Sequence, residues 1–206
     1  MGVMSRGDVI KSRGAAKRGE MGVKRVFLAV DVPAAVREAA ARHSAGVRRQ
    51  FPGARVSWVR AENLHITLRF YGEVEEARLS AIANVARSAA AAAERFSIEV
   101  GDPGTFGTKV LFLSIHDDEG KLRHLNAEIE ADSAAAGLKA ERLSFKPHLT
   151  LARIRSGKGV GPLVEAFLGV DFLAMEFEVR EMVLYESRFS PAGSQYLAIE
   201  RFPLGG

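Results

Sequence analysis

Two stretches decide the reading: Asn63-Leu64-His65-Ile66-Thr67-Leu68 and Lys146-Pro147-His148-Leu149-Thr150-Leu151. Each is His-apolar-Thr-Leu, and the histidines lie 83 residues apart. Along an extended strand, side chains two apart share a face. His65 and Thr67 therefore point one way, with Ile66 and Leu68 opposite. His148 and Thr150 likewise oppose Leu149 and Leu151. Each strand would set an apolar row against a core and an imidazole–hydroxyl pair toward an open side.

The surroundings of the two stretches echo each other. Helices are expected before each motif, at 33–50 and 120–136, and after each, at 75–95 and 160–168. Leu122, Leu125 and Ile129 keep helical phase, and Gly137 can end their helix. Further strands are expected at Val26–Val30, Val56–Val59, Phe96–Val100, Val110–Ile115, Phe172–Phe177, Glu181–Tyr185 and Tyr196–Phe202, with a loop at Pro103–Thr108. The pattern predicts an α+β chain and reads as a divergent duplication. Two pseudo-symmetric lobes, with antiparallel or mixed sheets and flanking helices, would bring both imidazole–hydroxyl pairs into one central cleft.

The chain has 206 residues, 29 Lys and Arg against 25 Asp and Glu, and no cysteine. That length suits one domain or two small lobes. Disulfides, thiolate metal sites and a cysteine nucleophile are excluded. The net charge of +4 is uneven: residues 1–25 carry +5 and the remainder −1. A body that coats itself with DNA-binding charge is therefore disfavoured. Residues 1–23, rich in Gly and basic side chains, are expected to be a disordered basic tail, and 24–206 a single bilobal domain. The sequence lacks a secretory apolar run and any stretch long enough to span a bilayer.

Two histidines and two threonines facing one cleft suit phosphoryl chemistry without a metal. One imidazole can take a proton from a nucleophile while the other protonates a leaving oxygen, and both forms are accessible near pH 7. Threonine hydroxyls can donate to nonbridging phosphate oxygens. No cluster with metal-ligand spacing accompanies them. His116 and His124 carry no comparable pattern, and His43, on the first helix, is expected to be exposed.

At these residues the chain resembles the two-histidine (2H) phosphoesterase superfamily, and within it the RNA 2′,3′-cyclic phosphodiesterases long labelled 2′-5′ RNA ligases. The likeness rests on the two His-x-Thr-x signatures and on Lys24–Val30, Trp58-Val59, Phe70-Tyr71-Gly72-Glu73-Val74, Ala152-Arg153, Leu184-Tyr185-Glu186-Ser187 and Tyr196. It implies a bilobal fold whose cleft holds catalytic His65 and His148, with Thr67 and Thr150 binding phosphate and no cofactor. The implied reaction is hydrolysis of an RNA 2′,3′-cyclic phosphate end to a 2′-phosphate. His65 would be the acid at O3′ and His148 the base on water, with weak reversible 2′-5′ ligation possible. The implied partner is RNA with a cyclic phosphate terminus or a small cyclic nucleotide, and the implied state a cytoplasmic monomer. Hydrolysis of a small cyclic nucleotide or a 2′-5′ oligonucleotide, or noncatalytic binding of RNA ends, would use the same cleft.

Around the signatures, strand parity puts Arg69 and Tyr71 on the His65 face as further substrate contacts. Arg153, in the second signature, is a further candidate substrate contact; strict parity puts it opposite His148, but a bulge or strand end could restore it. Phe70, Phe145 and Trp58 are expected in the core. The Gly-rich tract 157–161 lacks the order of a nucleotide-binding phosphate loop and is expected to be a turn near the cleft mouth.

Overall fold

The computed structural model describes residues 22–141, 144–155, 160–190 and 193–205. The expected tail lies outside them up to Met21. Val23 already pairs with Glu75, so the first strand begins just inside the expected tail boundary. Of the expected Gly-rich turn, residues 157–159 also lie outside the described residues.

The first half of the chain runs β1 (Val23–Asp31), α1 (Ala34–Gln50), β2 (Val56–Trp58), β3 (His65–Glu75), α2 (Leu79–Ala92) and β4 (Phe96–Phe106). The second half runs β5 (Val110–His116), α3 (Lys121–Ala135), β6 (His148–Ile154), α4 (Gly161–Leu168), β7 (Met175–Val179), β8 (Glu181–Ser190) and β9 (Gly193–Pro203). All nine strands join one sheet in the order β7-β4-β5-β6-β3-β1-β8-β9, with β2 added against β6. Every strand pairing is antiparallel. The α+β class expected from the sequence is the one observed.

Alternating apolar side chains of the sheet and one stripe of each helix build a single core. Ile66, Leu68, Leu149 and Leu151 lie in it beside Ile82, Val85 and Ala86 of α2 and Leu122, Leu125 and Ile129 of α3. The small alanines of α2 let that helix pack closely. Asp117 caps α3 by accepting the Leu122 and Arg123 N–H groups at 3.1 and 3.0 Å. Gly137, at φ 67°, ends it. The Leu138 and Gly137 N–H groups then bond to the Ser133 and Ala134 carbonyls, which closes the last turn.

Several expectations change, and the strand expected at Phe172–Phe177 is observed at Met175–Val179. The loop expected at Pro103–Thr108 begins as strand, since β4 continues to Phe106. β7 pairs β4 only from Phe96 to Val100. Beyond that point β4 is an edge, where Pro103 lacks no bond that the sheet needs. His43 is 9% exposed rather than open to solvent, its ring edge-on to Phe167 and Phe172. It lies on the buried stripe of α1 with Val36, Ala40 and Val47.

The decisive local feature is a pair of matching bulges. On β3, Arg69 pairs with Leu28 and Thr67 with Ala29, so Leu68 is an extra residue. On β6, Ala152 pairs with Leu111 and Thr150 with Phe112, so Leu151 is extra. The seven residues from each histidine onward then share one burial sequence: half-buried, buried, half-buried, buried, buried, exposed, half-buried. The backbone groups freed by the bulges find partners, as buried polar groups must. The Leu68 carbonyl accepts Asn126 Nδ2–H at 2.9 Å, and the Leu151 carbonyl accepts the Val59 N–H at 2.8 Å.

The bulge overturns the expectation for Arg69 and Tyr71. An inserted residue flips the side chains that follow it. Arg69 is 0% exposed and turned away from the open side. Its Nη2–H donates to the Lys139 carbonyl at 2.6 Å, its Nη1 lies 3.1 Å from Glu130 Oε2, and its guanidinium covers the Tyr71 ring at 4.6 Å. Tyr71 meets Ser133 of α3 through its hydroxyl. Neither reaches the open side of the sheet; together they bind α3 to β3.

A buried guanidinium deprived of its carboxylate is destabilising. Glu130→Ala is expected to lower the unfolding free energy by about 2–3 kcal/mol, because the carboxylate is only partly solvated. Urea denaturation checks this: a loss below about 0.5 kcal/mol would show that the pair contributes no more than an exposed one.

Candidate active site

His65 and His148 stand at the first positions of β3 and β6, and these strands meet through the pair Ile66↔Leu149. The antiparallel register of that pair sets His65 across from Thr150 and His148 across from Thr67. The four expected side chains therefore converge on one patch of the open face, and Thr67 and His148 line a cavity of about 650 Å³.

Both imidazoles are oriented in the same way. The Nδ1–H of His65 donates to the Asn63 carbonyl at 2.7 Å, and that of His148 donates to the Lys146 carbonyl at 2.7 Å. In each case the acceptor lies two residues upstream. In the neutral ring this bond fixes the tautomer and leaves Nε2 as a base. His65 Nε2 lies 3.1 Å from Thr67 Oγ1, whose hydroxyl can donate to it.

Each imidazole is also wedged by aromatic rings. Phe27 of β1 and Tyr196 of β9 lie 4.8 and 5.1 Å from the His65 ring. Phe106 of β4 and Phe112 of β5 lie 4.9 and 5.4 Å from the His148 ring. The β8–β9 hairpin is tied to the His65 strand by Asn63 Nδ2–H, which donates to the Ser194 carbonyl at 2.7 Å. This bond holds Tyr196 in place.

These apolar walls disfavour the charged imidazole. Burial pushes His65 down to about 4, against weaker upward effects of its bond to Asn63 and the nearby Asp31 carboxylate. Burial also lowers His148, and the Arg153 guanidinium lowers both. Asp31 itself accepts the Tyr185 hydroxyl at 2.7 Å and Arg201 Nη1–H at 3.2 Å.

Arg153 lines the cavity from the exposed end of the second signature. The extra residue Leu151 restores it to the His148 face. The equivalent position after the first signature is Phe70, not Arg69. Phe70 lines the same cavity at 43% exposed, so its expected place in the core is corrected. Phe145 also borders the cavity while packing against the core, and Trp58 packs against the core as expected. Phe106 escaped sequence reading because it falls in the stretch expected to be a loop. Nothing in a lone Phe marks it as a neighbour of His148. Among the described residues, no three His, Asp or Glu side chains converge as a metal's ligand set. No described helix is long and apolar enough to cross a membrane.

The free protein should hold both rings neutral with the proton on Nδ1. In ¹⁵N NMR the His65 ring is expected to stay neutral until the pH nears 4, and His148 to titrate below the ordinary 6.5. Unfolded histidine takes its proton at about 6.5. The stability held in these neutral rings is therefore full above that pH and lost as pH falls toward 4. A His65 ring that titrated at 6.5 or above would contradict this.

Comparison with known proteins agrees with the geometry. Residues 32–188 match the family model described as the 2′-5′ RNA ligase superfamily. The chain is 31% identical over 185 residues to the RNA 2′,3′-cyclic phosphodiesterase of Methanocaldococcus jannaschii, covering 86% of this chain and 99% of that one. The crystal structure of Escherichia coli LigT complexed with 3′-AMP superposes with a TM-score of 0.72 at 27% identity, covering 90% of this chain and 100% of the other. That of TT0787 from Thermus thermophilus gives 0.71 at 25% identity, covering 88% and 98%. The two signatures, the single antiparallel sheet and these matches lead to one assignment: the chain belongs to the 2′-5′ RNA ligase superfamily and, within it, to the RNA 2′,3′-cyclic phosphodiesterase family of two-histidine phosphoesterases.

Proposed function

We propose that this chain hydrolyses RNA 2′,3′-cyclic phosphate ends to 2′-phosphates by paired histidine acid–base catalysis, with no metal. The observation that carries the reading is the convergence of two identically oriented imidazoles and two threonines across the Ile66↔Leu149 pair. The cyclic phosphate would lie over that pair, its nonbridging oxygens accepting from the Thr67 and Thr150 hydroxyls and from Arg153. In the free protein the Thr67 hydroxyl is within reach of His65 Nε2, and the phosphate would take its place.

The steps balance with one water. His148 Nε2 takes a proton as the water oxygen bonds to phosphorus. The P–O3′ bond breaks, and its electron pair leaves with O3′. His65, entering as imidazolium, gives its Nε2 proton to O3′, so the product is a 2′-phosphate beside a 3′-hydroxyl. The anionic phosphate favours protonation of an adjacent imidazole, which offsets the downward push of burial. The Asp31 carboxylate near His65 supports giving the acid role to that ring, since a nearby negative charge favours the imidazolium. Reversal, with a 5′-hydroxyl in place of water, would form a 2′-5′ bond.

The fold supports a bilobal origin by duplication. The sheet path has four strands on either side of the β3–β6 junction, and the two signatures carry matching bulges. On this reading residues 24–206 form one domain, working as a cytoplasmic monomer on RNA ends.

The test is hydrolysis of RNA ending in a 2′,3′-cyclic phosphate, in the presence of a chelator, with the product monoester identified. A 2′-phosphate is expected, and His65→Ala or His148→Ala should each lower kcat by about 10²–10⁴-fold. A metal requirement, a 3′-phosphate product or unchanged turnover in either variant would overturn the mechanism.

A further inference from the structure

The cavity is electrically lopsided. Its wall on the α3 side carries Glu141 and the Glu130 that pairs with Arg69, whereas Lys146 and Arg153 line it on the β6 side. Beyond Arg153, three chain segments are pinned side by side. Arg153 pairs with Val110 on one edge of β6 and with Ser57 on the other. The Lys109 carbonyl then accepts the Ile154 N–H at 2.8 Å, and the Arg55 carbonyl accepts the Arg155 N–H at 2.8 Å. The backbones of Arg55, Lys109, Arg153 and Arg155 thus lie within about two strand spacings, roughly 10 Å, with Arg155 Nε–H donating to Ser57 Oγ at 2.8 Å. All four are exposed, and none forms an ion pair among the described residues. This concentration stands out in a chain whose residues 26–206 carry a net charge of −1.

We propose that this rim binds the sugar–phosphate backbone of single-stranded RNA where it leaves the cavity, 5′ to the cyclic end. The inference rests on the functional reading above and adds a path for the rest of the substrate. A cyclic phosphate closes the 3′ terminus, so all remaining nucleotides lie on its 5′ side and must exit the cavity. At the α3 wall Glu141 disfavours phosphate, Glu130 being paired with Arg69; Arg153 is continuous with the rim at the other. Backbone phosphates gain affinity from such cations through counterion release and without reading sequence. The rim therefore makes the chain favour RNA ends over cyclic mononucleotides, across base sequences.

The test compares a short single-stranded oligoribonucleotide ending in a 2′,3′-cyclic phosphate with a 2′,3′-cyclic mononucleotide. The variant is R55Q/K109Q/R155Q, which leaves Arg153 and the signatures intact. Its KM for the oligonucleotide should rise about tenfold or more, and the salt dependence of binding should weaken by about 2 in log–log slope, about 0.7 per lost contact. Its kcat/KM for the mononucleotide should stay that of the parent, which also reports intact folding. The conservative R55K/K109R/R155K variant should retain oligonucleotide affinity. An unchanged oligonucleotide KM, or equal losses on both substrates, would overturn the proposal. Fluorescence anisotropy with a 3′-phosphorylated oligonucleotide reads the rim independently of turnover. A parent chain that hydrolysed neither substrate would sink the activity reading alone, while equal anisotropy of parent and triple variant would sink the rim.

Discussion

One backbone contact organises the site: the antiparallel pair Ile66↔Leu149, where equivalent positions of the two signatures meet. Because side chains alternate along a strand, burying Ile66 and Leu149 forces their neighbours, His65, Thr67, His148 and Thr150, onto the opposite face. The same burial that forms the core thus sets the polar constellation. Two residues further on, the extra leucines Leu68 and Leu151 end the alternation. They sink a second consecutive side chain and turn Phe70 and Arg153 outward. An aromatic wall and a guanidinium then face each other from equivalent places. The bulges persist because their freed carbonyls are paired, with Asn126 in one case and Val59 in the other.

Electrostatics follow from this packing. Rings wedged between Phe27 and Tyr196, or between Phe106 and Phe112, lose hydration and resist protonation. Carbonyls two residues upstream hold each Nδ1–H and aim Nε2 outward. The unliganded site is consequently a pair of bases with a cation, Arg153, nearby. In the proposed reaction the substrate's charge would take part, because a phosphate favours an imidazolium beside it. Asp31, held by Tyr185 and Arg201, stands near His65 and favours a charge on that ring.

Much of this was legible in the sequence, for physical reasons. Period-two alternation exposed the faces of both signatures, and helical phase identified Leu122, Leu125 and Ile129 as one buried stripe of α3. Gly137 marked the end of that helix through its left-handed backbone. The bulges were not legible, since an extra leucine inside an apolar strand looks like any other. Every expectation that counted past them by parity failed: Arg69 and Tyr71 went behind the sheet, and Phe70 came forward. Arg153 reached the cavity through the bulge that simple alternation omits. His43 was missed because a histidine between helical polar residues gives no sign of the Phe167 and Phe172 rings that cover it. The rim of Arg55, Lys109 and Arg155 depends on three strand ends meeting, which local patterns do not encode.

The central claim is that the two imidazoles act as one unit on one phosphate. A double-mutant cycle on chemistry measures this directly, using single-turnover rates for His65→Ala, His148→Ala and the double variant with a cyclic-phosphate substrate. Residues that serve the same transition state are strongly non-additive. The account predicts that the double variant reacts about as slowly as the slower single variant. Multiplying losses, with the double variant slower by the product of the two single effects, would show two independent contributions and contradict it.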